Sequence, residues 1–181
     1  MILPTFKYHP DPLGTGSVAV SDVECVCCGQ ARGAVYKGPV YAPGEYRELI
    51  CPWCIFDGSA HERLQASFVD ISGVGGYGKW DPVPLAAAEE VAYRTPGFCG
   101  WQQEEWWTHC GDAAEFVGPA GHRELEALGE DAVASLRDAA GFVEGPEWDG
   151  ILASLHREGW ILAFLFRCSK CGRLGGYVDF N

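Results

Sequence analysis

The chain has 181 residues, of which 48% are hydrophobic and 21% are charged. This composition is that of a globular protein and excludes an intrinsically disordered chain. The first twenty residues lack the basic start and apolar block of a secretory signal, and the longest apolar run, residues 160–166, is too short to span a membrane. We therefore expect a cytoplasmic protein that makes no contact with a membrane.

The charge is strongly acidic and unevenly distributed. The formal net charge is −12, and residues 85–150 hold 14 acidic and three basic side chains, so this segment alone carries −11. Such a surface repels nucleic acid and attracts basic protein partners. The alternative is a solvated acidic helix face that only aids solubility.

The first 70 residues are expected to form a β-rich unit. Prolines near the start exclude a helix there. Residues 32–50 are rich in β-branched and aromatic residues broken by Gly-Pro and Pro-Gly pairs, which predicts a β-hairpin. Residues 59–62 have the pattern of a capping box, so a helix is expected to begin at Ser59 and continue through Ala66. Residues 71–84, with four glycines and two prolines, are predicted to be a linker.

A second unit, residues 85–181, is predicted to be helical with a β-hairpin at its end. Apolar spacing and helix breakers predict helices over residues 85–94, 100–110 and 122–142 (split at Gly129), and a last helix that begins at Pro146 and stops at Gly159. The apolar run 160–168 is expected to be a buried strand that pairs with residues 175–180 across the last cysteine pair.

Nine cysteines, three C-x-x-C pairs among them, indicate metal binding. Without a secretory signal a disulfide framework is not expected, and paired cysteines in a reducing compartment are typical of zinc ligands. Cys25, Cys28, Cys51 and Cys54 would surround one zinc ion in a closed, structural site. The site would be a zinc ribbon, or a treble clef if a helix follows Cys54 at once. Cys27 is interpreted as a packed thiol outside the site.

The last cysteine pair needs two further ligands to complete a second site. The set predicted here is Cys99, Cys110, Cys168 and Cys171, with His109 as a substitute. The alternative is that Cys99 and Cys110 are buried core thiols. His109, Cys110 and Asp112 are adjacent in sequence, which is weak support for a nucleophile with its base, so we assign no catalytic residue.

Several unusual sequence segments of this chain resemble the CbrC-like protein family. They are LPTFKYHPDPLGTGS, YKGPVY, CPWCIFDGSA, RTPGFCGWQQEEWWTHCGDAAEFVG and FRCSKCG, spread over nearly the whole chain. The resemblance implies a bacterial protein linked with tolerance to a nuclease-type colicin and implies no enzymatic activity. The family hallmarks, the cysteine pairs and the HCGD segment, match Cys25, Cys28, Cys51, Cys54, His109, Cys110, Asp112, Cys168 and Cys171. The chain departs from the family at Phe56, where a smaller residue is typical, and position 99 varies.

Together these patterns predict an α+β protein in which a zinc-binding N-terminal unit packs on a C-terminal helical unit. The predicted function is that of a zinc-binding, non-enzymatic interaction protein whose acidic segment faces a basic partner, such as a nuclease toxin. The alternative is a zinc-dependent enzyme with an open metal site near His109, Cys110 and Asp112. The sequence leaves the oligomeric state open.

Overall fold

The computed structural model describes residues 2–181 and contains both helices and antiparallel strands, so the predicted α+β class is confirmed. The strands are β1 (Val18–Val20), β2 (Ala34–Tyr36), β3 (Thr108–His109), β4 (Asp112–Ala113), β5 (Glu115–Ala120), β6 (Ile161–Arg167) and β7 (Leu174–Phe180). The helices are α1 (Pro52–Phe56), α2 (Ser59–Leu64), α3 (Leu85–Arg94), α4 (His122–Leu128), α5 (Glu130–Ala140) and α6 (Pro146–Ser154). Across residues 2–181, every helix is too short or too polar to cross a bilayer.

The three-stranded sheet β5-β6-β7 is the largest sheet, and it contains the predicted terminal hairpin. Strands β6 and β7 pair in register from Ile161 opposite Phe180 to Arg167 opposite Leu174, which confirms that prediction. β5 pairs along the other edge of β6. β6 reads as a continuous apolar run because both of its faces are covered.

Helices α4, α5 and α6 cover one face of this sheet, and aromatic side chains cover the other. As expected, Gly129 separates α4 from α5 and Pro146 opens α6, but α6 ends at Ser154, before the predicted stop at Gly159. The buried residues between helices and sheet include Leu125, Leu136 and Trp148. The opposite face packs against an aromatic cluster centred on Phe98, Trp106, Phe116, Phe164 and Phe166.

Two predicted elements are wrong. Residues 32–50 form no hairpin among themselves; instead β2 pairs with β1, and the loop between these strands contains Cys25 and Cys28. Residues 100–107 are not helical, because their backbone amides bond to distant groups. The amide of Trp101 donates to the Asp179 carboxylate at 2.6 Å, and that of Trp106 donates to the Gly73 carbonyl at 2.9 Å. Helix α2 begins at Ser59 as expected but ends at Leu64, and its N-cap is Gly58, with no side-chain capping bond.

The predicted linker, residues 71–84, contains two 3₁₀ turns, Ile71–Gly73 and Gly76–Gly78. The indole of Trp80 donates to the Ala139 carbonyl at 2.8 Å at the end of α5. The division of the chain into units on either side of this stretch stays a prediction.

Candidate metal centres

The first cysteine pair lies on a tight turn between β1 and β2. The Cys25 amide donates to the Gln30 carbonyl at 3.0 Å, and the Gly29 amide donates to the Cys25 carbonyl at 2.7 Å. Gly29 has a φ of 67°, a left-handed conformation that glycine adopts without steric cost. The turn therefore directs the Cys25 and Cys28 side chains toward the same point.

The second pair lies at the start of helix α1. Cys51 is the N-cap residue, Pro52 occupies the first turn, and Cys54 follows within the helix. Proline is suited to this place because its missing amide has no partner inside the helix anyway. The Cys51 amide donates to the Cys25 sulfur at 3.2 Å, which links the helix start to the turn.

The four sulfurs of Cys25, Cys28, Cys51 and Cys54, called here the N-terminal centre, are spaced as zinc ligands would be. The Sγ–Sγ distances are 3.8 Å for Cys25–Cys54, 3.9 Å for Cys28–Cys51 and 3.6 Å for Cys51–Cys54. A tetrahedral zinc ion with Zn–S bonds of about 2.3 Å holds its sulfurs about 3.8 Å apart. The described side chains therefore fit one zinc ion.

Electrostatics at the N-terminal centre also favour a cation. A hydrogen bond from the Cys51 thiol lowers the pKa of Cys25 to about 4. That same bond, together with burial, raises the pKa of Cys51, and burial raises the pKa of Cys54 to about 12. One of these four cysteines can therefore be a thiolate. Further negative charge among such close sulfurs is unfavourable unless a divalent cation neutralises it.

The final cysteine pair repeats the first turn at the tip of the β6–β7 hairpin. The Cys168 amide donates to the Arg173 carbonyl at 2.9 Å, and the Gly172 amide donates to the Cys168 carbonyl at 2.9 Å. Gly172 has a φ of 75°, close to that of Gly29. The two turns thus share one hydrogen-bond pattern and one glycine position.

A second hairpin, β3–β4, supplies the remaining side chains. Its two central residues, Cys110 and Gly111, have φ values of 56° and 69°, as a type I′ turn requires. A positive φ is uncommon for a residue other than glycine, asparagine or aspartate, so Cys110 is held in a conformation that costs about 1 kcal/mol. This turn places the side chains of His109 and Cys110 beside the final cysteine pair.

His109, Cys110, Cys168 and Cys171, called here the C-terminal centre, have ligand atoms that lie within 4.8 Å of one another. The His109 Nδ1 atom lies 3.2 Å from the Cys110 sulfur and 3.5 Å from the Cys171 sulfur. Around a tetrahedral zinc ion, nitrogen and sulfur ligands lie roughly 3.5 Å apart. These side chains therefore also fit one metal ion, with three sulfurs and one nitrogen.

Contacts around the C-terminal centre hold its two hairpins together. Lys170 donates to the Cys110 carbonyl at 2.9 Å, and the imidazole of His109 stacks on the Trp107 indole with ring centroids 5.1 Å apart. Trp107 lies directly over Gly175 of β7, where an added Cβ would come within 2.3 Å of the indole. The absence of a side chain at Gly175 therefore determines where Trp107, and with it His109, can lie.

Two predicted site residues lie elsewhere. Cys99 is not part of the C-terminal centre: its sulfur lies 4.0 Å from the Lys37 carbonyl, in a cavity between loops. The reason is that residues 100–107 form no helix, so Cys99 and Cys110 do not converge, and His109 lies where Cys99 was predicted. Cys27, which was not a predicted ligand, is buried against the Ser59 hydroxyl at 3.6 Å, outside the N-terminal centre.

Asp112, the other of these two residues, contacts the N-terminal segment rather than the C-terminal centre. Its carboxylate accepts hydrogen bonds from the Tyr8 hydroxyl at 2.8 Å and from Lys7 at 3.1 Å. Burial acts to raise the pKa of the Asp112 carboxyl, but these two hydrogen bonds hold that pKa below its ordinary value. This contact was not predicted because Lys7 and Tyr8 belong to no metal-ligand or catalytic motif and lie more than a hundred residues from Asp112 in the sequence.

Comparison with known proteins identifies the family of the chain. Residues 3–180 match the family model described as "Uncharacterised protein family (UPF0167)". A UPF0167 protein of Mycobacterium bovis is 48% identical over 98% of this chain and 94% of its own length, and one of Mycobacterium tuberculosis matches equally. A UPF0167 protein of Pseudomonas aeruginosa is 40% identical over 99% of this chain and 98% of its own length. No solved structure matches. The chain therefore belongs to the uncharacterised protein family UPF0167.

Proposed function

We propose that the chain binds two zinc ions in structural centres and acts as an interaction protein that meets a basic partner through its acidic helices. The observation that carries the zinc assignment is the spacing of the N-terminal sulfurs, 3.6 to 3.9 Å. The start of α1 at the second cysteine pair supports a treble-clef-like centre over a zinc ribbon, because the ligands come from a turn and from a helix start.

A structural role is favoured over a catalytic one by the ligand count. Each centre offers four side-chain ligands, which fills the tetrahedral shell of zinc and leaves no position for water or substrate. Asp112, the base that an enzyme at the C-terminal centre would use, bonds to Tyr8 and Lys7. The exposure of Cys110 and Cys171 is the observation that favours the enzymatic alternative, because a solvent-facing metal could accept a further ligand.

The partner proposal depends on the helices that cover the sheet. Six exposed carboxylates on these helices and on the segment between α5 and α6, called here the acidic helical face, are Glu126, Glu130, Asp131, Glu144, Glu147 and Asp149. Glu124 is not a member, because its carboxylate accepts from the Gly121 amide at 2.8 Å and caps α4. A surface with this charge accelerates association with basic proteins by long-range attraction. The resemblance to the CbrC-like family makes a basic nuclease domain of the colicin type the first partner to test.

Charge reversal tests this proposal. The variant Glu126→Lys, Glu130→Lys, Asp131→Lys is expected to slow association with a basic colicin-type nuclease domain at low salt and to flatten the salt dependence of the rate. The matched control reverses three exposed acids far from these helices in sequence, Asp22→Lys, Glu45→Lys and Glu62→Lys. Equal association rates for the two variants, with zinc content unchanged in both, would contradict the proposal.

A further inference from the structure

The cavity that contains Cys99 is separate from both metal centres and has the size of a small-ligand site. Its volume is about 370 Å³, within the range typical of small-molecule sites, about 300 to 1,000 Å³. Its floor is formed by Phe98, Leu162 and Phe164, whose side chains are otherwise buried in the core. Trp101 forms part of the rim, and its indole donates to the Gly159 carbonyl at 3.3 Å. The interior therefore suits an apolar, flat group.

The walls of this cavity are held in place by buried polar contacts. His9, fully buried, accepts at Nε2 from the Thr15 hydroxyl at 2.7 Å and donates at Nδ1 to the Pro96 carbonyl at 2.6 Å. It thereby joins the loop around Thr15 to the loop that leads to Cys99. On the next wall, the Asp179 carboxylate accepts from the amides of Trp101 and Gln102 at 2.6 and 3.2 Å. A cavity with such walls is preformed, which lowers the entropy cost of binding.

Cations are scarce in this acidic chain, yet two of them line the mouth of the cavity. They are Lys37 and Arg157, and Glu158 is the acidic side chain among the lining residues. Lys37 is paired with Glu48 at 2.5 Å. Within residues 2–181, the Arg157 guanidinium makes no ion pair and no side-chain hydrogen bond, and Glu124 is a nearby acid whose pKa its charge helps to lower. The guanidinium is therefore available to an anion at the entrance. Guanidinium groups bind carboxylates through two parallel hydrogen bonds.

We propose that this cavity binds a small aromatic carboxylic acid, with its ring on Phe98, Leu162 and Phe164 and its carboxylate on Arg157. The proposal is independent of the metal centres and of the acidic helical face. Aromatic area supplies most of the affinity, and the single unpaired cation selects an anion over a neutral ligand of the same shape. Cys99, exposed on the wall, gives a chemical reporter of occupancy.

The test uses the full-length, zinc-loaded protein with 1-naphthoate as the probe and 1-naphthamide as its neutral counterpart. Calorimetry is expected to show that naphthoate binds one site per chain and binds more tightly than naphthamide. Arg157→Gln should weaken naphthoate about tenfold and leave naphthamide unchanged, since a hydrogen bond to a charged group is worth at least that factor. Arg123→Gln, which removes another exposed arginine, is the control and should change neither affinity.

Two further readouts locate the ligand. Naphthoate should slow the alkylation of Cys99 by iodoacetamide, as measured on the Cys99 peptide by mass spectrometry. Cys99→Trp should fill the cavity and abolish binding of both probes, with zinc content and melting temperature used to verify folding. The proposal is overturned if naphthoate fails to bind at millimolar concentration, if Arg157→Gln leaves its affinity unchanged, or if Cys99 stays equally reactive when the probe is bound.

Discussion

The N-terminal and C-terminal centres share one turn but differ in their surroundings. Both turns place a glycine with positive φ after the second cysteine and close with the same pair of backbone hydrogen bonds. In the N-terminal centre Cys25, Cys51 and Cys54 are buried, whereas in the C-terminal centre Cys110 and Cys171 are exposed and only Cys168 is buried. The same local turn therefore lies in the hydrophobic core in one region, and on the surface between two hairpins in the other.

This difference predicts unequal contributions to folding. The four cysteines of the N-terminal centre pack in or against the hydrophobic cluster with Tyr36, Ile50 and Phe68, so a bound metal ion and this core would form together. Of the C-terminal cysteines, only Cys168 belongs to a hydrophobic cluster. The C-terminal centre lies beyond the end of a three-stranded sheet that has its own core on both faces. Loss of metal there should loosen the hairpin tips and leave the sheet intact.

The largest effect is expected from Cys51→Ser. This change should release one zinc ion and lower the melting temperature by about 10 °C or more, because structural zinc contributes several kcal/mol and each kcal/mol is worth about 2 to 4 °C in a chain of this size. Metal analysis and calorimetry provide the measurements. Cys27→Ser, which alters a buried thiol outside the centre, is the control and should retain both ions. Unchanged metal content in Cys51→Ser would refute the assignment.

The second effect concerns the order in which the ions are lost. During titration with a chelator, the ion of the exposed C-terminal centre should leave first, and the ion of the N-terminal centre should leave only as the region around it unfolds. Zinc release measured with a colorimetric dye should therefore show two phases, with the far-ultraviolet circular dichroism changing mainly in the second. A single phase for both ions would remove the distinction between the centres.

A smaller effect is expected at the C-terminal centre itself. Cys110→Ser and Cys171→Ser should each lose the same single ion and lower the melting temperature less than Cys51→Ser does, since their sulfurs are exposed. Cys99→Ser should keep both ions, because Cys99 lies in the separate cavity. If Cys99→Ser loses an ion, the earlier ligand set with Cys99 in place of His109 is correct after all.

The smallest effect is expected from a change at Gly175, which contacts Trp107 and through it positions His109. Gly175→Ala would place a methyl group against the Trp107 indole, so Trp107 and the stacked His109 must shift. We expect weaker metal affinity at the C-terminal centre, about tenfold, which is the size of effect that groups supporting a ligand have in other metal sites. Gly150→Ala, at an open position in α6, is the control and should leave metal affinity unchanged. Equal affinities in the two variants would show that Trp107 does not position His109.

The sequence predicted the two cysteine turns and the terminal β6–β7 hairpin better than the other hairpins and the long-range placement of side chains. Cysteine spacing and glycine position indicated both turns because ligand geometry is local. That His109 rather than Cys99 lies beside the final cysteine pair depends on residues 100–107 forming no helix, and their amides instead bond to Asp179 and Gly73 far away in the chain. Likewise, the true partner of β2 is β1, because the first cysteine turn is itself the hairpin loop. Local composition indicates neither these long-range amide bonds nor the pairing of β2 with β1.

Zinc K-edge X-ray absorption on the purified protein, with metal content measured on the same sample, tests the central claim most directly. Two centres of four and three cysteines with one histidine predict two zinc ions per chain and, over both ions, seven sulfur ligands and one imidazole nitrogen. The absence of zinc, a single ion per chain, or a shell containing oxygen from water would contradict the account of two closed structural centres.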